Sequence, residues 1–344
     1  MINGTRMQIV KGREANTTQT LRCMHAEGTN TVKVKVASDA ASFQSAVLDP
    51  IAKGRKLSVL ALVGAGISPI ASSANPHSNG TSEADDNVWR NLSFIDLATL
   101  DAFDSNPALV WLYYSYRRHE ALRSIPTEGH HILAQLSEIS RPSSSKFNLL
   151  TITQNMDGLH QRANHDESAL LEFHGSLFKV KCTNFMCSYN DYIFDDPLTP
   201  SLDVSYYEDP TSPLPHITSI EQLPLCPVCA THNEQSLLRP GVIWFGESLP
   251  LYLIDKADEF IMDNQVDILL VIGTSHTVWP TSSYIDLVKN QGGQIAVFNT
   301  VRDEEIDNYS NTSDTKVWQF IGDCSERLPE IFGPIIETLN LSGK

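Results

Sequence analysis

No apolar run in this 344-residue chain approaches the ~20 residues needed to cross a bilayer, so a membrane span is not expected. Positive charge is scarce as well. With 25 Lys and Arg against 41 Asp and Glu, the formal net charge is −16, which argues against a nucleic-acid-binding surface. The N-terminus lacks a secretory apolar region, so the Asn-x-Ser/Thr triplets at Asn16 and Asn91 are expected to stay unglycosylated. Cysteines number only 6, and without a secretory signal they do not suggest a disulfide framework. Internal repeats are absent.

What is present is a chain 41% hydrophobic, long enough for one large domain with a smaller insert. Residues 1–38 are basic (Arg6, Lys11, Arg13, Arg22, Lys33 and Lys35 against Glu14 and Glu27) and read as a disordered extension. Such a segment would suit a mitochondrial presequence, with cytosol or nucleus as the other compartments. Four short apolar runs share a form: Leu57–Val63, Phe147–Thr153, Val266–Ile272 and Gln294–Phe298. Each reads as a strand buried on both faces, ending in glycine or small polar residues. Helical stretches fall between them, at Asn106–Ser124 and Leu249–Asn264. This alternation predicts an α/β fold, an open doubly wound parallel sheet with its ligand crevice at the carboxyl ends of the strands.

Cys182-x4-Cys187 and Cys226-x2-Cys229 bracket a stretch rich in Pro, Asp, Ser and Tyr. Four thiolates can enclose one Zn²⁺ tetrahedrally and leave no open position, so the metal would be structural. The stretch is then an inserted small zinc-ribbon domain, residues 178–240, held by metal where a core is lacking. Gly64-Ala65-Gly66 follows the first strand, as a turn approaching a phosphate would, although packing glycines look the same. Gln154-Asn155-Met156-Asp157-Gly158-Leu159-His160 and Glu172-Phe173-His174-Gly175-Ser176 bring amides, a carboxylate and imidazoles close together. An imidazole can act as a base near neutral pH, and amides orient a sugar or carboxamide without adding charge. His160 is expected to cap or face a helix without a catalytic role.

Together these motifs closely resemble the sirtuin family. GAGIS at Gly64–Ser68, TQNMDGLH at Thr153–His160, EFHGS at Glu172–Ser176, the cysteine quartet, PGVIWFGE at Pro240–Glu247, GTS at Gly273–Ser275 and FN at Phe298–Asn299 follow the family's order. The resemblance covers roughly residues 40–335, within a catalytic domain placed at 39–335 and followed by a tail at 336–344. It implies NAD and an acylated lysine side chain of a protein meeting between a Rossmann-like and a zinc domain. In the family mechanism the acyl oxygen attacks the ribose carbon bearing nicotinamide, forming an alkylimidate. His174 would then activate a ribose hydroxyl, and the products would be lysine, nicotinamide and O-acyl-ADP-ribose. By the same carry-over Gln154, Asn155 and Asp157 hold NAD on the ribose and nicotinamide side, and Gly273, Thr274, Ser275 and Asn299 line its adenosine side. Gly64, Ala65, Gly66 and Cys324 are carried over as further cofactor-binding residues. Val242, Trp244, Phe245 and Gly246 would offer a backbone edge to the substrate peptide.

The acyl group is read from Trp111–His119, WLYYSYRRH. On a helix Tyr114 and Arg117 share a face, and a guanidinium fork with a phenol can bind a carboxylate. An aromatic helix with a solvated arginine has the same pattern. The Tyr-x-x-Arg spacing resembles the class III branch, which removes succinyl, malonyl and glutaryl groups, and Ala98 matches the small residue that makes room for them. One departure stands out. Between Pro69 and Asn87 the family's Phe-Arg pair, which covers NAD, is missing. Its loss predicts weakened turnover and leaves two other uses of the cleft open, a non-catalytic binder of NAD or acyl-lysine, or a mono-ADP-ribosyltransferase.

Overall fold

A computed structural model describes residues 40–69, 88–142, 145–274, 281–304, 306 and 315–342. The expected extension at 1–38, most of the atypical segment at 69–87, and Ser275 lie outside them. Among the described residues no helix is long and apolar enough to cross a membrane.

The strands, in chain order, are β1 (Leu57–Val63), β2 (Val88–Trp89), β3 (Leu92–Ser93), β4 (Phe147–Thr153), β5 (Leu170–Glu172), β6 (Gly175–Cys182), β7 (Asn190–Tyr192), β8 (Leu238–Val242), β9 (Ile268–Ile272), β10 (Gln294–Asn299) and β11 (Val317–Ile321). Six of them form a sheet in the order β11-β10-β9-β1-β4-β5, and every pairing in it is parallel. The four apolar runs are its central strands. In β1 all residues are buried, and alternation sends Val59, Ala61 and Val63 to one face and Leu60 and Leu62 to the other. Helices Ala40–Ala52, Glu128–Ser140 and Cys324–Ser342 cover the first face through Phe43, Leu133, Leu136, Leu328 and Phe332. Helices Leu251–Asn264 and Thr281–Asn290 cover the second through Ala257, Ile261, Ile285 and Val288. The chain leaves β1 toward β4 on one side and returns to β9 on the other, which makes the carboxyl end of β1 the switch point of the sheet.

The second lobe is wider than the expected 178–240 insert. The antiparallel sheet β7-β6-β8 packs on helix Pro107–Arg123, which lies between β1 and β4 in sequence. Asn106 caps this helix by accepting from the Leu109 amide at 3.1 Å, and Pro107 occupies its first turn. The stretch expected to lack a core contributes one: Leu202, Val204, Tyr207 and Leu223 are buried with Trp111, Leu112 and Tyr114 of the helix. Isolated apolar residues without a period conceal such a contribution, because short 3₁₀ turns insert one side chain at a time. Trp111 Nε1 donates to the Leu238 carbonyl at 2.8 Å, and the Tyr207 hydroxyl to that of Leu112 at 3.1 Å.

The two adjacent arginines of this helix have opposite fates. Arg118 is buried and donates to the carbonyls of Leu177, Ile193 and Asp195 at 2.6, 2.8 and 2.9 Å. Arg117 is half-buried and makes no hydrogen bond or ion pair among the described residues. Arg118→Met strands one buried and two partly buried carbonyls and should destabilise the protein by on the order of 3 kcal/mol. A clear fall in the urea midpoint checks this, and an unchanged midpoint refutes it.

Candidate functional site

The central strands end level. Val63 pairs with Thr153 and with Ile272, and Ile272 with Phe298, so the loops after β1, β4, β9 and β10 emerge side by side. This register brings Gly64, Gln154, Gly273 and Asn299 together. Gly66 and Gly273 meet backbone to backbone: the Gly66 amide donates to the Gly273 carbonyl at 2.8 Å. A Cβ on Gly66 would stand 2.7 Å from Gly273 Cα, and one on Gly273 2.6 Å from the Gly66 carbonyl carbon. Gly273 also has φ +57°, a conformation that favours glycine. The glycines of the first turn therefore serve packing between two strand ends, while Ala65 and Gly66 stay exposed at the mouth of the crevice.

Polar residues interlock around that turn. Asn155 Nδ2 donates to the Gly64 carbonyl at 3.0 Å and to Ser68 Oγ at 3.1 Å, and Ser68 Oγ donates to Asp157 Oδ2 at 2.6 Å. Asp157 also accepts from the Leu159 amide at 3.0 Å. Burial raises the Asp157 pKa, against the lowering effects of Ser68, the Leu159 amide and the Arg117 charge. Gln154 Oε1 accepts from Thr274 Oγ1 at 2.9 Å, joining β4 to β9. Asn299 Nδ2 donates to the Thr274 carbonyl at 3.4 Å. Cys324 is placed differently from its neighbours: its thiol is buried against the core, donates to the Phe298 carbonyl at 3.4 Å, and is pushed up to about 11 by burial.

His174 follows β5 and lies 3.1 Å through Nδ1 from the Gln154 carbonyl. A carbonyl can only accept, so Nδ1 carries the proton and Nε2 keeps a free lone pair. Burial lowers the His174 pKa, partly opposed by the Gln154 bond, which keeps the ring neutral at physiological pH. His160 sits in the core beside His130 and His165, with ring centroids 4.8 and 5.7 Å away, and burial holds it well below its usual range.

The stretch after β8 crosses to the small lobe. The Ile243 amide donates to the His174 carbonyl and the Phe245 amide to that of Ala98, each at 2.9 Å. The Trp244 amide donates to Glu247 Oε2 at 2.8 Å. Three amides of the expected peptide edge are therefore used within the chain, and Gly246, with φ +84° and open space beside it, leads away from them. Ala98 and Val242 are buried in the same cluster as Tyr114 and Trp244, while Phe245 is half exposed and lies edge-on to Phe94. Arg117 extends its charge toward Tyr113, Tyr114, Tyr116 and Asp157. Two residues escaped the reading of the sequence as anchors, Arg239 and Glu247. They pair bidentately at 2.7 Å across the turn, a spacing that follows no helical or strand period. Arg90 does not replace the missing cofactor-loop arginine, since it donates to the carbonyls of Tyr207, Asp209 and Ser212 in the small lobe.

The four cysteine sulfurs lie within 4.8 Å of one another, with Cys182–Cys229 at 3.6 Å and Cys187–Cys226 at 3.8 Å. Thiolates at 2.3 Å around a tetrahedral Zn²⁺ stand roughly 3.8 Å apart, so the set fits one structural ion. The Asn184 amide donates to Cys182 Sγ at 3.3 Å, as expected of a thiolate turn.

Comparison with known proteins agrees with this geometry. The Sir2 family model matches residues 64–280. An NAD-dependent protein deacylase of Candida albicans is 44% identical, with 81% of this chain and 94% of that protein covered. The mitochondrial NAD-dependent protein deacylase sirtuin-5 of Canis lupus familiaris is 34% identical over 83% of each chain. Among solved structures, a Sir2 homologue in complex with NAD superposes with a TM-score of 0.64 at 26% identity, covering 87% of this chain and 94% of the other. Stripping the metal with a strong chelator should release one zinc per chain and unfold the small lobe, abolishing activity. Full activity in metal-free protein would exclude the structural ion.

Proposed function

The chain belongs to the Sir2 family, and we propose that this NAD-dependent protein-lysine deacylase prefers acidic acyl groups, succinyl, malonyl or glutaryl, over acetyl. The observation that carries the preference is the pairing of Arg117 with Tyr114. Arg117 is half-buried with its guanidinium unpaired among the described residues, and burial raises the Tyr114 pKa so that the phenol remains a donor. A cation and a hydroxyl donor on one helix face suit a carboxylate, for which an acetyl methyl has no counterpart.

NAD, when bound, supplies a ribose carbon that an acyl oxygen can attack as nicotinamide leaves. The chain's part is to position and to move a proton. Gln154, Asn155 and Asp157 present amide and carboxylate groups already fixed by Thr274, Gly64 and Ser68, so little reorganisation is needed on binding. The contact of Gly66 with Gly273 leaves backbone without side chains where the dinucleotide would lie, which fits such a ligand. His174 Nε2, deprotonated and oriented by the Gln154 carbonyl, is the base for a ribose hydroxyl. The products are then lysine, nicotinamide and O-acyl-ADP-ribose. A second reading, a binder with little turnover, draws on the missing Phe-Arg pair and on Arg90 being held in the small lobe. The basic first 38 residues and the mitochondrial relative suggest import into mitochondria, and a full-length fluorescent fusion that stays cytosolic would remove that assignment.

NAD-dependent release of succinyl and acetyl from matched lysine peptides decides between these readings. Turnover favouring succinyl and lost in His174→Ala is expected; no turnover with either peptide leaves the binder. Because His174 must be neutral and burial lowers its pKa, kcat should be full at neutral pH. It should fall only as pH drops through a midpoint below 6.5; an acid limb at or above that value contradicts the assignment. Arg117→Met should raise KM for the succinyl peptide at least about tenfold, the worth of a hydrogen-bonded charge. Equal losses with acetyl would sink the pocket assignment.

A further inference from the structure

Tyr114 helps an acidic acyl group only if its single hydroxyl proton points at the carboxylate, and a phenol rotor can point elsewhere. Here the rotor is constrained from behind. The Trp244 indole N–H donates to the Tyr114 oxygen at 2.9 Å, and among the described residues the hydroxyl itself donates to no acceptor. Trp244 is only 2% exposed and is held on several sides. The Arg239 guanidinium lies 3.6 Å from its ring centroid, and the Phe103 ring 5.4 Å away. Its backbone amide donates to Glu247, which Arg239 grips through both oxygens at 2.7 Å. Arg239, which also donates to the Val242 carbonyl at 3.3 Å, and Glu247 thus hold Trp244 so that its indole N–H ends on Tyr114.

We infer that Trp244 is a positioning residue for acyl selection: its indole N–H occupies a Tyr114 lone pair, so that the phenol donates to the distal carboxylate of the acyl-lysine. The inference rests on the acidic-acyl reading of Tyr114 and Arg117. An acetyl group has no distal carboxylate to receive that proton, so loss of the indole N–H separates the two substrates, whereas loss of packing alone would affect both.

The test uses the full chain with NAD and matched succinyl- and acetyl-lysine peptides. Trp244→Phe keeps an aromatic ring and removes the N–H. It should raise KM for the succinyl peptide and lower the succinyl-to-acetyl ratio of kcat/KM about tenfold, the effect of one misdirected bond to a charged acceptor. In a Tyr114→Phe background the same change should move that ratio no further, because the two groups act as one unit. An unchanged ratio in Trp244→Phe, or additive losses in the double variant, overturns the assignment alone. A wild-type enzyme without succinyl preference overturns the acidic-acyl reading and this assignment with it. Should Trp244→Phe fail to fold, the ¹⁵N-indole spectrum of the wild type and of Tyr114→Phe replaces it. One indole resonance should shift when the hydroxyl is lost, and a spectrum without that shift also overturns the assignment.

Discussion

Backbone packed against backbone at Gly66 and Gly273 is the constraint on which the site depends. The two loops come from strands more than two hundred residues apart in sequence, yet they touch with no room for a side chain between them. That closeness follows from the level register of β1 and β9, which delivers both loops at one height. It leaves a surface of amides and small residues at the switch point of the sheet, where a dinucleotide can lie against the main chain. Asn155 and Ser68 then tie the first turn to Asp157, and Thr274 ties Gln154 across it. The cofactor side is rigid because its polar groups are already satisfied by one another.

The small lobe solves a different problem. It has one long helix, the three-stranded sheet β7-β6-β8 and long irregular connections, too little regular structure to hold itself rigid. A four-thiolate cluster anchors one end, and Arg118 holds the other by collecting three carbonyls from the strand side. Between these anchors the helix presents Tyr114 and Arg117 toward the Asp157 network. The crossing from β8 to the turn at Glu247 ties the lobes together, since the Ile243 amide reaches His174 and the Phe245 amide reaches Ala98. His174 and Ala98 are therefore joined through the backbone of residues 243–245.

Burial is the main cause of the pKa shifts in the site. His174 is neutral because burial disfavours its cation, and Tyr114 stays a phenol for the same reason applied to its anion. Burial raises the Asp157 pKa, and the Arg117 guanidinium opposes that rise.

The sequence by itself determined the sheet. Runs such as LSVLALV are apolar at every position, and only a parallel strand covered on both faces accommodates that pattern, so β1, β4, β9 and β10 were legible with their carboxyl-end residues. Paired cysteines likewise announced a metal cluster, because short spacings leave a four-thiolate site few other geometries. Tertiary structure alone decided what depends on residues distant in the chain. It sent helix Pro107–Arg123 to the small lobe, separated Arg118 from Arg117, turned the Cys324 thiol into the core, and consumed amides at 243–245 that a strand edge would have offered. It also joined Arg239 to Glu247 and Trp244 to Tyr114. Periodicity reports which face of an element is apolar; it cannot report which partner, a hundred residues away, will meet a polar atom there.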